Sequence, residues 1–135
     1  MYKNILVAIA LDHAHDSAGA LDVARCLADK GASLTALHVV EEMPSYVVPY
    51  LPREHFENLN SEAEARLTAE LGGVADIKPV VVRGHAGTTI VEYATEHDVD
   101  CIVIASHRPG LQDYFLGSTA GRVVRHAPCA VHVIR

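Results

Sequence analysis

The chain has 135 residues, 50% of them apolar, and a formal net charge of −6 at pH 7. This length suits a single domain over residues 1–135, with a core that needs no disulfide or metal support. The acidic balance argues against a surface built to bind nucleic acid, so no nucleic-acid partner is expected.

The cysteines and the N-terminus constrain the compartment. Cys26, Cys101 and Cys129 are far apart and form no CxxC pair. They therefore predict neither a zinc site nor a disulfide framework, and buried free thiols are the simplest interpretation. The first apolar run is too short to span a membrane and has no signal-cleavage pattern, so we expect a cytoplasmic protein without membrane insertion.

The first part of the chain predicts a strand, a helix and a second strand. Asn4–Ala10 is almost continuously apolar, as in a parallel strand covered on both faces. Asp16 or Ser17 can cap the helix that follows, and Gly31 suits its C-terminal end. Ser33–Val40 is predicted as the second strand. The apolar residues of the helix recur at helical spacing: Leu21, Ala24, Leu27 and Ala28.

The middle of the chain continues the alternation. Glu41–Pro52 contains three prolines and is predicted as a loop. A helix over Glu54–Leu71 follows and ends at two glycines. Lys78–Gly84 is predicted as a short third strand, and Pro79 favours an edge position because it cannot donate to a strand ladder. One face of the helix carries its apolar residues: Phe56, Leu59, Ala63 and Leu67.

The last part predicts two more helices and two more strands. Thr89 and Glu92 match a capping box for the third helix. Cys101–Ser106 is predicted as a buried strand, Ser118 as the cap of the last helix, and Ala130–Ile134 as the closing strand. The last helix has three apolar residues before Pro128 terminates it: Val123, Val124 and Ala127. Strands alternating with helices imply an open parallel α/β sheet with helices on both faces.

The stretch ASHRPGLQDYFLGSTAG, which follows the fourth strand, is the candidate functional loop. In parallel sheets, ligands bind beyond the carboxyl ends of strands, where the chain order reverses. Gly117-Ser118-Thr119 would open a helix whose free amides and dipole attract phosphate. His107 and Arg108 could add contacts, and the first turns of the helix could aim Arg122 there. The alternative is an ordinary capped helix with a solvated loop.

Other polar residues give weaker signals. His13 and His15 form an HxH pair without an evident third ligand, so no metal site is predicted. His38 and His132 fall within strands, where a hydrogen-bonded or edge-facing imidazole is the usual role, and His85 could approach a ligand. No Walker motif or Ser-His-Asp set is present, and the only carboxylates plausibly near the loop are Asp12 and Asp113. Any phosphate hydrolysis at this loop should therefore be slow.

Several stretches together resemble the universal stress protein family: MYKNILVAIALDH, LHVVE, VVRGHAGTTIVEYA and IASHRPGLQDYFLGSTAGRVVRHAPCAVHVIR. The likeness runs the full length and is strongest near the end, where the Ser-His-Arg-Pro loop is similar to the F and G types of bacterial universal stress protein. The resemblance implies a Rossmann-like fold, similar to the adenine nucleotide alpha hydrolases, with strand order 3-2-1-4-5. It also implies a homodimer through the last strand and, in one branch, ATP between strands one and four.

The chain departs from the ATP-binding branch at two places. That branch has glycines where this chain has Ala105 and Arg108, and here the spacing to Gly117-Ser118 is one residue shorter. That branch also ends its first strand with an aspartate where this chain has Ala10. Asp12 could reach the same region. The Ser-His-Arg-Pro subgroup shares the loop differences, which indicates a variant loop rather than a lost site.

These considerations predict a dimeric, nucleotide-sensing regulatory or stress-response module that binds ATP, with or without Mg²⁺, and an unidentified protein partner. A nucleotide-free interaction module and a slow ATPase are the alternatives. No catalytic residue and no protein metal ligand are predicted. Adenosine is expected against Ala8, Ile9, Ala10, Asp12 and Val39. The phosphates are expected against Ala105, Ser106, His107, Arg108, Gly117, Ser118 and Thr119.

Overall fold

A computed structural model describes residues 1–11, 17–41, 46, 48–106 and 116–135. These residues form a parallel sheet with helices between the strands. The elements in chain order are β1 (Tyr2–Ala8), α1 (Ser17–Leu27), β2 (Ala28–Glu41), a 3₁₀ turn (Val48–Tyr50), α2 (Arg53–Glu70), β3 (Ile77–Gly84), α3 (Ala86–Glu96), β4 (Cys101–Ala105), α4 (Ser118–His126) and β5 (Ala130–Ile134).

The five strands are ordered β3-β2-β1-β4-β5, and every neighbouring pair is parallel. This confirms the α/β class, the strand order and the edge position of β3. The central strand β1 pairs with β2 on one side and with β4 on the other. The chain order therefore reverses at β1, where the crossovers that lead to β2 and to β4 run in opposite directions.

Two apolar cores lie on opposite faces of the sheet because successive strand residues point to opposite sides. Ile5 and Val7 of β1 pack with α1 and α2 on one face. Leu6 of β1 packs with α3 and α4 on the other. We call these the α1/α2 face and the α3/α4 face. Both faces are covered, which explains why β1 and β4 read as uninterrupted apolar runs.

A carboxylate fixes the amino end of β1 against the turn that precedes β4. Asp100 accepts hydrogen bonds from the amides of Lys3 and Asn4, at 2.8 and 3.0 Å. The Asn4 side chain in turn donates to the carbonyl oxygens of His97 and Asp98, at 2.7 and 3.2 Å. This network sets the register of the two central strands at the edge opposite the candidate loop.

The strand and helix boundaries differ from prediction near β1 and α1. β1 ends at Ala8 rather than Ala10. Ala28, predicted in the helix, instead begins β2, because it pairs with Tyr2 across the sheet. Gly31 has a positive φ of 80°, so it makes a left-handed turn within this segment instead of ending the helix. Cys26 is exposed, so the expectation of three buried thiols is wrong for this residue.

Both predicted caps of the later helices are also wrong. α3 begins at Ala86, and Thr89 lies inside it, donating its amide to the His85 carbonyl at 2.8 Å. The helix starts earlier because Glu41 accepts from the Ala86 amide at 3.3 Å and supplies a cap from β2. In α4 the N-cap is Gly117 rather than Ser118, and no side chain of the described residues caps this helix. Val124 of α4 is exposed, whereas Val123 is fully buried.

None of the helices in the described part of the chain is long and apolar enough to cross a membrane.

Candidate functional site

The two central strands separate at their carboxyl ends. β1 and β4 pair only as far as Val7 and Val103. Beyond that point the chain after β1 stays with β2, because the Ile9 amide donates to the Leu37 carbonyl at 2.9 Å. β4 stays with β5, through the pairing of Ala105 with Ile134. The separation opens a crevice between the segment after β1 and the end of β4, at the reversal of chain order where parallel sheets bind ligands.

Residues Ile9–Leu11 form the β1 side of the crevice, and side chains from β2 and α2 hold their main chain in place. The Ile9 carbonyl accepts from Nδ1 of His38 in β2 at 2.8 Å. The Leu11 carbonyl accepts from Nη2 of Arg66 in α2, also at 2.8 Å. Since a carbonyl oxygen only accepts, His38 carries a proton on Nδ1 in this contact. The segment Ile9–Leu11 is thus fixed although it lies beyond the regular strand.

The wall on the β4 side is the base of the candidate loop. The Ser106 amide donates to the Ile134 carbonyl at 2.8 Å, and the Ser106 carbonyl accepts from the Gly117 amide at 2.6 Å. Ser106 is 1% exposed. Its main-chain amide and carbonyl are both used in these bonds, which tie the end of β4 to β5 and to the residue that precedes α4.

The start of α4 presents unpaired amides at this edge. The Gly121 amide closes the first helical bond to Gly117. Within the described part of the chain, the amides of Ser118, Thr119 and Ala120 have no hydrogen-bond partner. The first turn carries no acidic residue and the last turn carries Arg125 and His126. The positive end of the helix dipole is therefore uncompensated among these residues.

The other helix on this face of the sheet, α3, does have an acidic group at its N-terminus. There Glu41 accepts from the Ala86 amide and places a carboxylate at the helix N-terminus. A negative charge in that position satisfies an orphan amide and offsets the dipole. Of these two helices, α4 is the one whose N-terminus has no carboxylate bonded to it among the described residues.

The structure brings most of the predicted residues to one face of this edge. Ala8 packs with the α3/α4 core, and Val39 belongs to that core and is 8% exposed. Ala10 has the same parity as Ala8 and is exposed. Ser118 is exposed, and Thr119, Gly117 and Ala105 are partly exposed. Ile9 differs, because its side chain lies in the α1/α2 core and only its main chain is near the crevice.

Other predicted residues lie outside the described part of the chain. They are Asp12, His107 and Arg108, together with His13, His15 and Asp113. Among the described residues, no group of three or more His, Cys, Asp or Glu side chains is placed to hold a metal ion.

The stem of Arg122 packs on the start of α3, where a Cβ added to Gly87 would lie 2.9 Å from Arg122 Cδ. That its guanidinium is aimed at the site stays a prediction. Sequence reasoning missed Arg66, which no local pattern distinguishes from the other charged residues of α2. His38 was expected to be a hydrogen-bonded strand histidine, and the structure confirms this. His132 is exposed on the edge strand, as expected for the alternative role.

Comparison with known proteins identifies the relatives of this chain. The model of the family described as "Universal stress protein family" matches residues 1–135. Universal stress protein G of Salmonella typhimurium is 32% identical over 142 residues, with 100% of both chains covered. Universal stress protein A homolog 2 of Coxiella burnetii is 34% identical over 140 residues, covering 99% of this chain and 95% of the relative.

Solved structures show the same fold. UspA from Lactobacillus plantarum superimposes with a TM-score of 0.72 at 29% identity, covering 99% of this chain and 98% of its own. A universal stress protein in complex with cAMP gives a TM-score of 0.57 at 23% identity, with 99% and 97% covered. The universal stress protein of Archaeoglobus fulgidus in complex with dAMP gives 0.58 at 18% identity, with 99% and 98% covered. At these lower identities the likeness concerns the fold alone.

Proposed function

Because this chain belongs to the universal stress protein family, we propose that it is a cytoplasmic, dimeric nucleotide-sensing module that binds ATP in the crevice between β1 and β4. The observation that carries the proposal is the uncapped start of α4, which stands beside that crevice with three unpaired amides among the described residues. Main-chain amides at a helix N-terminus are a common phosphate site.

The two walls suit the two parts of the nucleotide. Adenosine would lie on the β1 side, against the small residues Ala8 and Ala10 and beside Val39. The phosphates would lie on the β4 side, against Ala105 and the amides of Ser118 and Thr119, with His107 and Arg108 supplying charge. Ser106 and Gly117 would contribute by holding the loop base closed.

Two fold relatives support an adenine nucleotide as the ligand class, since one was solved with cAMP and another with dAMP. The choice of ATP rests on α4, because several unpaired amides favour a ligand with several phosphate oxygens. Mg²⁺ would enter with the triphosphate, whose oxygens are its usual ligands. The dimer through β5 is supported by that strand's edge position, because no other strand among the described residues pairs with its outer side.

Calorimetric titration of the purified protein with adenosine, AMP and ATP, each with and without Mg²⁺, tests the proposal. We expect affinity to rise from adenosine to ATP, because each added phosphate reaches the α4 amides. ATP at 100 times its Kd should stabilise the fold by about 2.7 kcal/mol. If ATP gives neither heat nor a shift in Tm at millimolar concentration, the chain is instead a nucleotide-free interaction module.

Regulation would follow from the differential affinity of ATP for two states of the module. An unidentified protein partner would then distinguish the ATP-bound from the free protein. Pull-down from a lysate with and without ATP, using the same immobilised protein, tests this. We expect at least one partner to be retained in only one of the two conditions, and an identical set in both would contradict nucleotide sensing.

A further inference from the structure

Just beyond β1, the main chain of Ile9 is hydrogen-bonded to β2, whereas the Ala10 amide is not. Ile9 directs both of its main-chain groups toward β2: the amide to the Leu37 carbonyl at 2.9 Å and the carbonyl to His38 Nδ1 at 2.8 Å. The Ile9 carbonyl and the Ala10 amide belong to one peptide unit, and a trans peptide holds its C=O and N–H in opposite directions. Because the Ile9 carbonyl points toward β2, the Ala10 amide is directed away from β2.

The side opposite β2 is the crevice. β1 lies between β2 and β4, and its pairing with β4 ends at Val7. Ala10 is exposed, and among the residues that the structure describes no hydrogen bond joins its amide to another group. Its amide is thus a donor available to a ligand between the two strands.

This arrangement depends on two side chains behind the wall. His38 holds the Ile9 carbonyl, and Arg66 reaches from α2 to hold the Leu11 carbonyl. The Ile9 and Leu11 side chains are buried in the α1/α2 core, at 5% and 3% exposure, so the segment is fixed on that face by packing as well. Both ties lie one residue away from Ala10, on either side.

We infer that His38 and Arg66 are positioning residues, which hold Ile9–Leu11 so that the Ala10 amide donates to the adenosine of a bound nucleotide through the main chain. The inference rests on the proposed function for the ligand, whereas the positioning itself does not require it.

Paired variants separate positioning from general structural damage. His38→Leu and Arg66→Met remove the donors, whereas His38→Asn and Arg66→Lys keep a donor at a similar reach. Arg53→Met is the matched control, since Arg53 is an exposed arginine at the other end of α2. Two quantities are measured: the Kd of adenosine and ATP by calorimetry, and the hydrogen-exchange rate of the Ile9 amide in the nucleotide-free protein. The Ile9 amide is the reporter because it is bonded to the Leu37 carbonyl.

We expect His38→Leu and Arg66→Met each to weaken adenosine and ATP by about 10-fold, the loss of roughly one hydrogen bond. The same variants should speed exchange of the Ile9 amide by a comparable factor, because the segment is held less firmly against β2, while the donor-keeping variants and Arg53→Met stay within about threefold of wild type.

Unchanged affinity or unchanged Ile9 exchange in the donor-lacking variants, or equal losses in the donor-keeping ones, would overturn the inference. A wild-type protein that binds no adenosine or ATP would overturn the proposed function, and Ile9 exchange would then decide the positioning role by itself.

Discussion

The Gly117 amide donates to the Ser106 carbonyl at 2.6 Å, so the candidate loop begins and ends at one hydrogen bond. This contact explains why position 117 is a glycine, whereas a need for close approach of a phosphate explains it less well. A Cβ on Gly117 would lie 2.7 Å from the Ser106 oxygen, a separation that carbon and oxygen do not tolerate without movement. The glycine of the Gly-Ser pair is needed where the two chain segments meet, and the amides that follow it remain free for a ligand.

Gly117→Ala is therefore expected to open the loop base. The added methyl should destabilise the fold by about 1–3 kcal/mol, as overpacking usually does, and should weaken ATP binding because the start of α4 shifts. Urea denaturation followed by calorimetry measures both effects. Gly19→Ala is the control, since a Cβ on that α1 glycine meets nothing within 4 Å and alanine should add about 0.5–1 kcal/mol. Equal stability of Gly117→Ala and wild type would contradict the close contact.

Ser118→Pro tests whether an α4 amide binds phosphate. Ser118 is the first residue of the helix, a position where proline is well tolerated and only an orphan N–H is lost. Gly117 has φ −57° and ψ 156°, a conformation that a following proline accepts. We expect the fold to be unaffected and the affinity for ATP to fall by about 10- to 100-fold, as for one hydrogen bond to a charged group.

The comparison for this variant is Ser118→Ala, which removes the hydroxyl and keeps the amide. It should bind ATP almost as tightly as wild type. Adenosine, which has no phosphate, should bind all three proteins equally. A proline variant with undiminished ATP affinity would show that the phosphates lie elsewhere.

The sequence predicts the sheet well because several apolar residues in each central strand indicate the same assignment. Each of the apolar runs in β1 and β4 is buried on two faces, so several residues agree on one assignment. The caps were predicted poorly because they depend on distant residues. The carboxylate that fixes the start of α3 is Glu41, far away in the chain, and no local pattern near Thr89 reveals it.

The candidate site also combines residues that the local sequence predicts with residues that it does not. Gly117, Ser118 and Ala10 were predicted from their positions along the chain, because the carboxyl ends of parallel strands always meet at one edge. His38 and Arg66 act on that edge from β2 and α2. Their contacts with Ile9 and Leu11 become visible only in the folded structure, where three elements pack together. The distances along the chain from His38 to Ile9 and from Arg66 to Leu11 follow no helix or strand periodicity that could reveal these contacts.

The proposed dimer can be tested at the outer side of β5. The Ile134 carbonyl accepts from Ser106, so Ile134 and, by alternation, His132 direct their main-chain groups toward β4. Val131 and Val133 direct theirs outward, to the edge where a second copy would pair.

Val133→Pro removes one outward amide and should convert the dimer to a monomer in light scattering, with the circular dichroism of the sheet retained. His132→Pro removes an inward amide and should unfold β5 instead. A wild-type mass near 14.5 kDa would contradict the dimer.

The thiols should differ sharply in reactivity. Cys26 is exposed, whereas burial raises the pKa of Cys129 and, with help from nearby Cys129 and Asp100, raises the pKa of Cys101 to about 11. Since the thiolate is the nucleophile, iodoacetamide at pH 8 should label native protein in the order Cys26, Cys129, Cys101, with all three labelled in urea.

The raised pKa of Cys101 also predicts an alkaline loss of stability. The folded protein keeps the Cys101 proton up to about pH 11, whereas a free thiol loses it near 9.0. Between these values the unfolded chain binds fewer protons, so the free energy of unfolding falls as pH rises through this window. Below pH 9 the full contribution is present. Urea titrations at pH 8, 9.5 and 11 should show wild type losing more stability than Cys101→Ala, while Cys26→Ala follows wild type. Parallel curves for wild type and Cys101→Ala would show that this thiol ionises alike in both states.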